Sequence, residues 1–395
     1  MMMFAAPRVQ TGLSVFLRSH CDGYRGKSLG LLCNQASVGP DLRHALELAD
    51  SAMPGTIKAV FSPQHGLYGA MQDNMEESPH SRLPDGRPVW SLYGEGRVPE
   101  PRMLEGLDAV VCDLQDVGVR VYTFAQTLFG VMDACAAQDI EVVVLDRPNP
   151  SGGLVMEGAI LSPEFMSFVG MTPVPLMHGF TLAEHAVFRN AASEAPCRLT
   201  VVPMIGWERG MDFSATGLPW VMPSPNLPTP DSASVYPGSV IFEGTNLSEG
   251  RGTSRPFQLI GAPYADRDAL AARLDAMKVP GTFFRPVEFK PMFGKWAGEI
   301  CRGVEIHPVD PMFKPFRSAL SLLEAVLRLW PDDFALKDPP YEYEFARRPI
   351  DLIMGCEDLF NDLAAGVSAE EICFNLEPPV RAFDRRRTDS LLYRQ

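Results

Sequence analysis

No two cysteines in the 395-residue chain stand at C-x-x-C spacing; the eight, Cys21, Cys33, Cys112, Cys135, Cys197, Cys301, Cys356 and Cys373, are scattered, mostly within apolar runs such as VVCDL and GLLCN. That scatter excludes a zinc ribbon and reads as buried free thiols rather than a disulfide framework. No apolar run approaches the roughly 18 residues a membrane-spanning helix needs. The opening MMMFAAPRVQ lacks a basic n-region and an apolar h-region, so a cytoplasmic location is expected. Positive charge is also short: Lys+Arg 35 against Asp+Glu 49 leaves a net charge of -14, the wrong sign for nucleic-acid binding. G-x-G-x-x-G, G-x-x-x-x-G-K-[ST] and G-x-S-x-G are all missing, which removes the dinucleotide, phosphate-loop and serine-nucleophile readings. His178 and His185 lie two helical turns apart, too far for the adjacent-turn pair of a zinc site, so no metal is expected.

What the chain does have is an ordinary globular composition, 46% hydrophobic and 21% charged, with 36 prolines. That is nearly double the usual proline usage of about 5%, and it implies many loops of fixed shape. Apolar runs at 27–35 (KSLGLLCNQ), 57–66 (IKAVFSPQHG), 108–118 (DAVVCDLQDVG) and 140–150 (IEVVVLDRPNP) alternate with helix-like segments such as PDLRHALELADSA and FAQTLFGVMDACAAQ. Continuous apolar runs between helices predict buried parallel strands of βαβ units. The expected fold is therefore α/β: a Rossmann-like domain over residues 1–260 and a smaller α+β domain over 261–395. Each of the four runs ends in polar residues, Asn34, Gln64, His65, Gln115, Asp116, Asp146, Arg147 and Asn149 among them. Open α/β sheets bind ligands at the carboxyl ends of their strands, so one polar crevice is expected there. The Pro-rich stretch 219–263 reads as functional loops, and the basic Arg385–Arg387 run as a solvated tail.

Without a metal or a nucleophile motif, acid/base chemistry remains. Asp116, Asp146, Glu157, Glu243, Glu249, Glu76 and Glu77 occupy loop-like settings, and any one of them is equally able to cap a turn. The string Glu243, Asn246, Ser248, Glu249, Arg251 and Thr253, interleaved with glycine, suits a polyhydroxylated ligand. Arg120, Arg147 and Arg251 offer forks for a carboxylate.

The blocks SPQHGLYG, SLYG, DLQDVGVRVYT, LDRPNPSGG, MEGAIL, FVGMTPVPLMHGFT, PSPNLPT, YPG, EGTNLSEGRGTSRPF and GAPY resemble, in order, the signature blocks of the DUF1343 family, the exo-β-N-acetylmuramidases of the NamZ type. The resemblance implies release of terminal N-acetylmuramic acid from the non-reducing ends of peptidoglycan fragments, a small carbohydrate or muropeptide partner, and no cofactor. It adds Tyr122, His178 and Asn226 to the substrate-binding candidates Asn34, Gln64, Arg120, Asp146, Arg147, Asn149, Glu157, Glu243, Asn246, Glu249 and Arg251. His65, Asp116, Arg120 and Asn149 are expected to shape the pocket floor. Typical members carry G-P-E-H-G, whose Glu is the proposed catalytic acid, whereas this chain has Ser62-Pro63-Gln64-His65-Gly66. Either another acid serves, with Glu77, Asp116 and His65 the catalytic candidates, or the protein binds its sugar without cleaving it. A transferase acting on a phosphorylated sugar is a third option.

Overall fold

The structure, a computed structural model, describes residues 8–72, 75–94 and 96–394; residues 1–7, read above for a leader, lie outside it. A seven-stranded sheet is built from β1 (Leu29–Cys33), β2 (Ile57–Ser62), β3 (Ser81–Arg82), β4 (Pro88–Ser91), β5 (Ala109–Asp113), β6 (Glu141–Leu145) and β7 (Leu199–Val202). Their order is β3-β4-β2-β1-β5-β6-β7, with every pairing parallel except β3 with β4. The chain winds outward in both directions from β1 and β5. The resulting switch point lies where a doubly wound sheet opens its crevice.

Strand burial explains why the apolar runs have no polar alternation: all five residues of β1 and of β5 are buried. Val110 and Cys112 face one buried cluster with Phe124, Leu128 and Met132 of the helix Thr123–Ala136. Ala109 and Val111 face the other, with Leu13 and Phe16 of the helix Gly12–Ser19 and Ala45 and Ala49 of Ala45–Ala52. Burying each Val, Leu or Phe contributes roughly 1.5–3 kcal/mol. Helices on both faces are what hold this sheet dry.

The smaller part is an antiparallel sheet of β8 (Leu259–Ala262), β9 (Thr282–Phe289) and β10 (Cys301–Pro308), ordered β8-β10-β9. Its Ile260, Val304 and Ile306, with Leu320 and Leu323 of the helix Pro315–Leu329, join the same apolar cluster as Val110 and Phe124. One core therefore runs through both parts. The Pro-rich stretch, expected to be loop, contains the helix Pro230–Ser239: Pro230 opens it and Thr229 caps it through Ser232 N–H. Proline at the first helical position costs nothing, because its missing N–H has no partner there. This helix packs on Pro315–Leu329 so closely that a Cβ on Gly238 would sit 1.9 Å from the Pro315 carbonyl oxygen. Gly238→Ala should therefore cost about 1–3 kcal/mol through overpacking, read as a lower urea midpoint at unchanged slope. An unchanged midpoint would mean that the two helices do not meet.

The basic run departs from expectation as well. Arg387 is buried at the end of the helix Ala369–Arg387, and its guanidinium donates to the carbonyls of Gly179 and Gly153 at 2.8 and 3.1 Å. A guanidinium has five donors, and buried carbonyls can absorb them where water cannot. The eight cysteines are free, six of them buried.

Candidate active site

The turn after β2 places Gln64 and His65 at the carboxyl edge of the sheet. His65 and Gly66 both take left-handed backbone, φ 71° and 76°, and Gly66 N–H closes the turn on Pro63 at 3.1 Å. The Gln64 amide is used at both ends. Its oxygen accepts from the Thr123 hydroxyl at the start of Thr123–Ala136, while Nε2 donates to Tyr93 Oη at 3.1 Å and to Glu342 Oε1 at 3.2 Å. Tyr93, buried just beyond β4, accepts Met75 N–H at 2.8 Å and donates to Glu342 Oε2 at 2.6 Å. His65 Nδ1 lies 2.7 Å from the Met71 carbonyl, which can only accept, so Nδ1 carries the proton and Nε2 is an acceptor. Burial drives its pKa down to about 4, with the Arg251 charge adding to the effect and the Met71 contact opposing it. The imidazole is neutral at pH 7.

The opposite wall comes from two later segments. Tyr341-Glu342-Tyr343-Glu344 forms a tight turn, with Tyr341 N–H to Glu344 O and Glu344 N–H to Tyr341 O both at 2.9 Å, and its two central residues stand at φ 46° and 65°. Hairpin turns with that backbone normally place Asn and Gly there. Tyr341 Oη donates to Glu243 Oε2 at 2.7 Å, and Arg251 Nη2 to Glu243 Oε1 at 2.6 Å. Behind them Lys295 Nζ reaches Glu249 at 2.8 Å and the carbonyls of Phe242 and Leu247 at 2.6 and 2.8 Å, pinning this loop. Burial opposes the charge on Glu249, but Lys295 and Arg251 hold its carboxyl below the usual range. Burial is the largest influence on Glu342 too; Tyr93 and Gln64 favour its ionised form, Glu243 disfavours it, and its pKa is pushed up to about 7.

Between these walls lies a narrow pocket of about 40 Å³, lined by Gln64, His65, Tyr122, Thr123, Ser224, Tyr236, Glu243, Arg251, Phe257, Tyr341 and Glu342. It is far smaller than the roughly 300–1,000 Å³ of typical ligand cavities.

Of the candidates read from sequence, the fold brings His65, Gln64, Tyr122, Glu243 and Arg251 to this pocket. Glu249 stands behind Arg251, 3.3 Å from its Nε. The remaining candidates are not part of this pocket's lining. Asp116 is buried, with Oδ2 on Gly118 N–H at 2.7 Å, and burial pushes its pKa up to about 7. Glu77 is exposed at the rim, accepting from Tyr343 Oη at 3.3 Å. Asn34 donates to Pro223 O, Asn149 to Phe180 O, Asn226 to Gln72 O and Asn246 to Asp333 O. Asp146 accepts from Ala183 N–H and Tyr393 Oη. Glu157 accepts from Phe316 and Arg317 N–H at the start of Pro315–Leu329. Arg120 spends its guanidinium on the carbonyls of Ala159, Val174 and Ile353, and Arg147 pairs with Asp113. His178 is buried with its ring 4.5 Å from that of His185, and burial, first of all, holds its pKa well below the ordinary value. Sequence reasoning passed over Tyr93, Thr123, Tyr236, Phe257, Tyr341 and Glu342. Tyr93 and Tyr236 stood in the SLYG and YPG blocks, whereas Glu342 carried no signal beyond an acid between two tyrosines after Pro339-Pro340.

A doubly wound α/β sheet whose carboxyl edge opens into a narrow pocket holding two carboxyl groups, an arginine and several hydroxyls defines a site of the acid/base class, equipped for a polyhydroxylated substrate. Comparison with known proteins narrows the class. The chain belongs to the exo-β-N-acetylmuramidase NamZ family: its N-terminal domain model matches residues 29–231 and its C-terminal domain model residues 234–393. The chain is 38% identical over 388 residues, 98% of its length and 92% of the relative's, to the peptidoglycan β-N-acetylmuramidase NamZ of Bacillus subtilis. Crystal structures of two DUF1343 family proteins from Bacteroides fragilis share the fold. The first has a TM-score of 0.89 at 32% identity, covering 99% of this chain and 100% of that one. The second has a TM-score of 0.76 at 27% identity, covering 98% and 99%.

Proposed function

We propose that this protein is an exo-acting muramidase, a glycoside hydrolase that removes terminal β-linked N-acetylmuramic acid from peptidoglycan fragments. The observation that carries the reading is the polar pocket itself, set on the carboxyl edge of a chain that matches its family from end to end. Arg251 is the cation for the lactyl carboxylate, in an ion-pair network with Glu243 and Glu249 that fixes its fork. His65 Nε2 accepts from a sugar hydroxyl or amide, and Tyr122, Tyr236 and Phe257 provide apolar wall against the ring. Purified protein should release N-acetylmuramic acid from its disaccharide with N-acetylglucosamine. Binding of that disaccharide without turnover would sink the hydrolase reading.

We also infer action in the cytoplasm. Eight free thiols suit a reducing compartment, and among the described residues no helix is long and apolar enough to cross a membrane. Fractionation of expressing cells should find the protein with cytosolic markers; recovery outside the cell overturns this.

A further inference from the structure

We propose that Glu342 is the catalytic acid, occupying from the far end of the chain the role for which position 64 has only an amide. The proposal rests on the muramidase reading and deepens it.

Three independent observations converge on this residue. The first is place: Glu342 lines the same pocket as Gln64 and touches it, so a carboxyl lies beside the position where the sequence lacks one. The second is strain. Glu342 and Tyr343 are consecutive non-glycine residues at positive φ, inside a turn whose two hydrogen bonds leave little freedom. Such conformations cost energy and persist where the surroundings enforce them, often at sites of function. Here the turn sends the Tyr341 and Glu342 side chains into the pocket together. The third is protonation. Tyr93 and Gln64 each donate one hydrogen bond to the carboxyl, which has about four acceptor positions in all, so a proton can still be carried and handed on.

The charges around Glu342 set the balance. Glu243 opposes its ionisation, Arg97 favours it, and neutral Tyr93, Tyr341, Tyr343 and Tyr236 make up the rest of the surface. Glu243, paired with Arg251 and Tyr341, is placed as the carboxylate that faces the positive charge developing on the sugar. Two carboxyl groups held in contrasting surroundings are the usual solution to glycoside cleavage. In the step proposed, Glu342 passes its proton to the glycosidic oxygen as the bond from that oxygen to the anomeric carbon breaks, and the bonding pair stays on the oxygen. Water from solvent supplies hydroxyl to the anomeric carbon, and the proton it releases restores the Glu342 carboxyl.

The test compares two leaving groups. The sugar alcohol of the muramyl-N-acetylglucosamine disaccharide needs protonation to depart; nitrophenolate, from a nitrophenyl muramide, does not. Glu342→Gln should lower kcat/KM on the disaccharide about 10²–10⁴-fold, the span typical of general acid catalysis. Its loss on the nitrophenyl substrate should be about tenfold or less, and the alkaline limb of the pH profile should disappear. Glu342→Asp, which keeps the acid, should fall between and serves if the amide variant does not fold. Equal losses on both substrates, an unaffected disaccharide rate or a retained alkaline limb overturns the assignment and leaves the muramidase reading intact. A wild-type protein inert toward both substrates overturns that reading, and the proposal with it.

Discussion

Asp113→Ala loses about 3–5 kcal/mol of unfolding free energy, the expected cost of stranding one member of a buried ion pair. Asp113 ends β5 with no exposed surface, and both its oxygens are held by Arg147, from Nε at 2.6 Å and from Nη2 at 2.7 Å. Arg147 also donates to Val38 O at 2.9 Å, so a single guanidinium ties the ends of β1, β5 and β6 together. Removal of the carboxylate leaves a cation in a place water does not reach. A shape-conserving apolar replacement of both partners, Asp113→Leu with Arg147→Met, should cost far less, because it removes the desolvation penalty along with the attraction. Urea unfolding of the single and double variants separates the two cases. Equal losses in both would mean that packing, not charge, holds the sheet edge.

Gln64→Glu should produce the largest change in pH dependence. The new carboxyl would stand where an amide now donates to Glu342 Oε1 at 3.2 Å. Two like charges at about 4 Å repel by roughly 4 kcal/mol at an effective dielectric constant of 20. The pair therefore shares a proton, and its second dissociation rises. Glu342 is already pushed up to about 7, so the alkaline limb of kcat/KM should move up by about one to three pH units. Stability follows the same sign. A carboxyl whose folded pKa exceeds its unfolded value of about 4.3 favours the folded state least above the folded pKa, so the variant loses stability as pH climbs from about 4 into the alkaline range. An unmoved limb would show that positions 64 and 342 do not face each other in solution. If wild type is inert and the variant cleaves, the chain is a sugar-binding protein whose missing carboxyl has been restored.

The fold was legible in the sequence because its central strands are buried on both faces. KSLGLLCNQ and DAVVCDLQDVG declare themselves as unbroken apolar runs, and Leu29–Cys33 and Ala109–Asp113 sit inside them. One margin of the sheet gave no such sign: the edge strand Ser81–Arg82 is exposed, and its neighbour Pro88–Ser91 is only half buried. The helix Pro230–Ser239 was hidden by proline, which reads as a breaker unless it stands at the first turn. In the site, local chemistry misled wherever a residue type has two uses. Arg120 and Arg147 carry the same fork as Arg251, but their partners are carbonyls and Asp113, supplied from elsewhere in the chain. Glu76, Glu77 and Asp116 were the candidates nearest to Gln64 in sequence. Glu342, far away in sequence, is nearest through a hydrogen bond.

That separation has a consequence for when the protein becomes active during its own synthesis. The carboxyl opposite Gln64 emerges 278 residues after it, and Arg387 emerges 208 and 234 residues after the Gly179 and Gly153 whose carbonyls it binds. Contacts so distant along the chain form late, since the entropy of closing the intervening loop must be met first. Nascent and prematurely terminated chains thus hold His65, Arg251 and Glu243 without their proton donor. Such fragments also lack Tyr341 and the core residues Ile350, Leu352 and Ile353, so they are expected to leave a sugar's bond uncut.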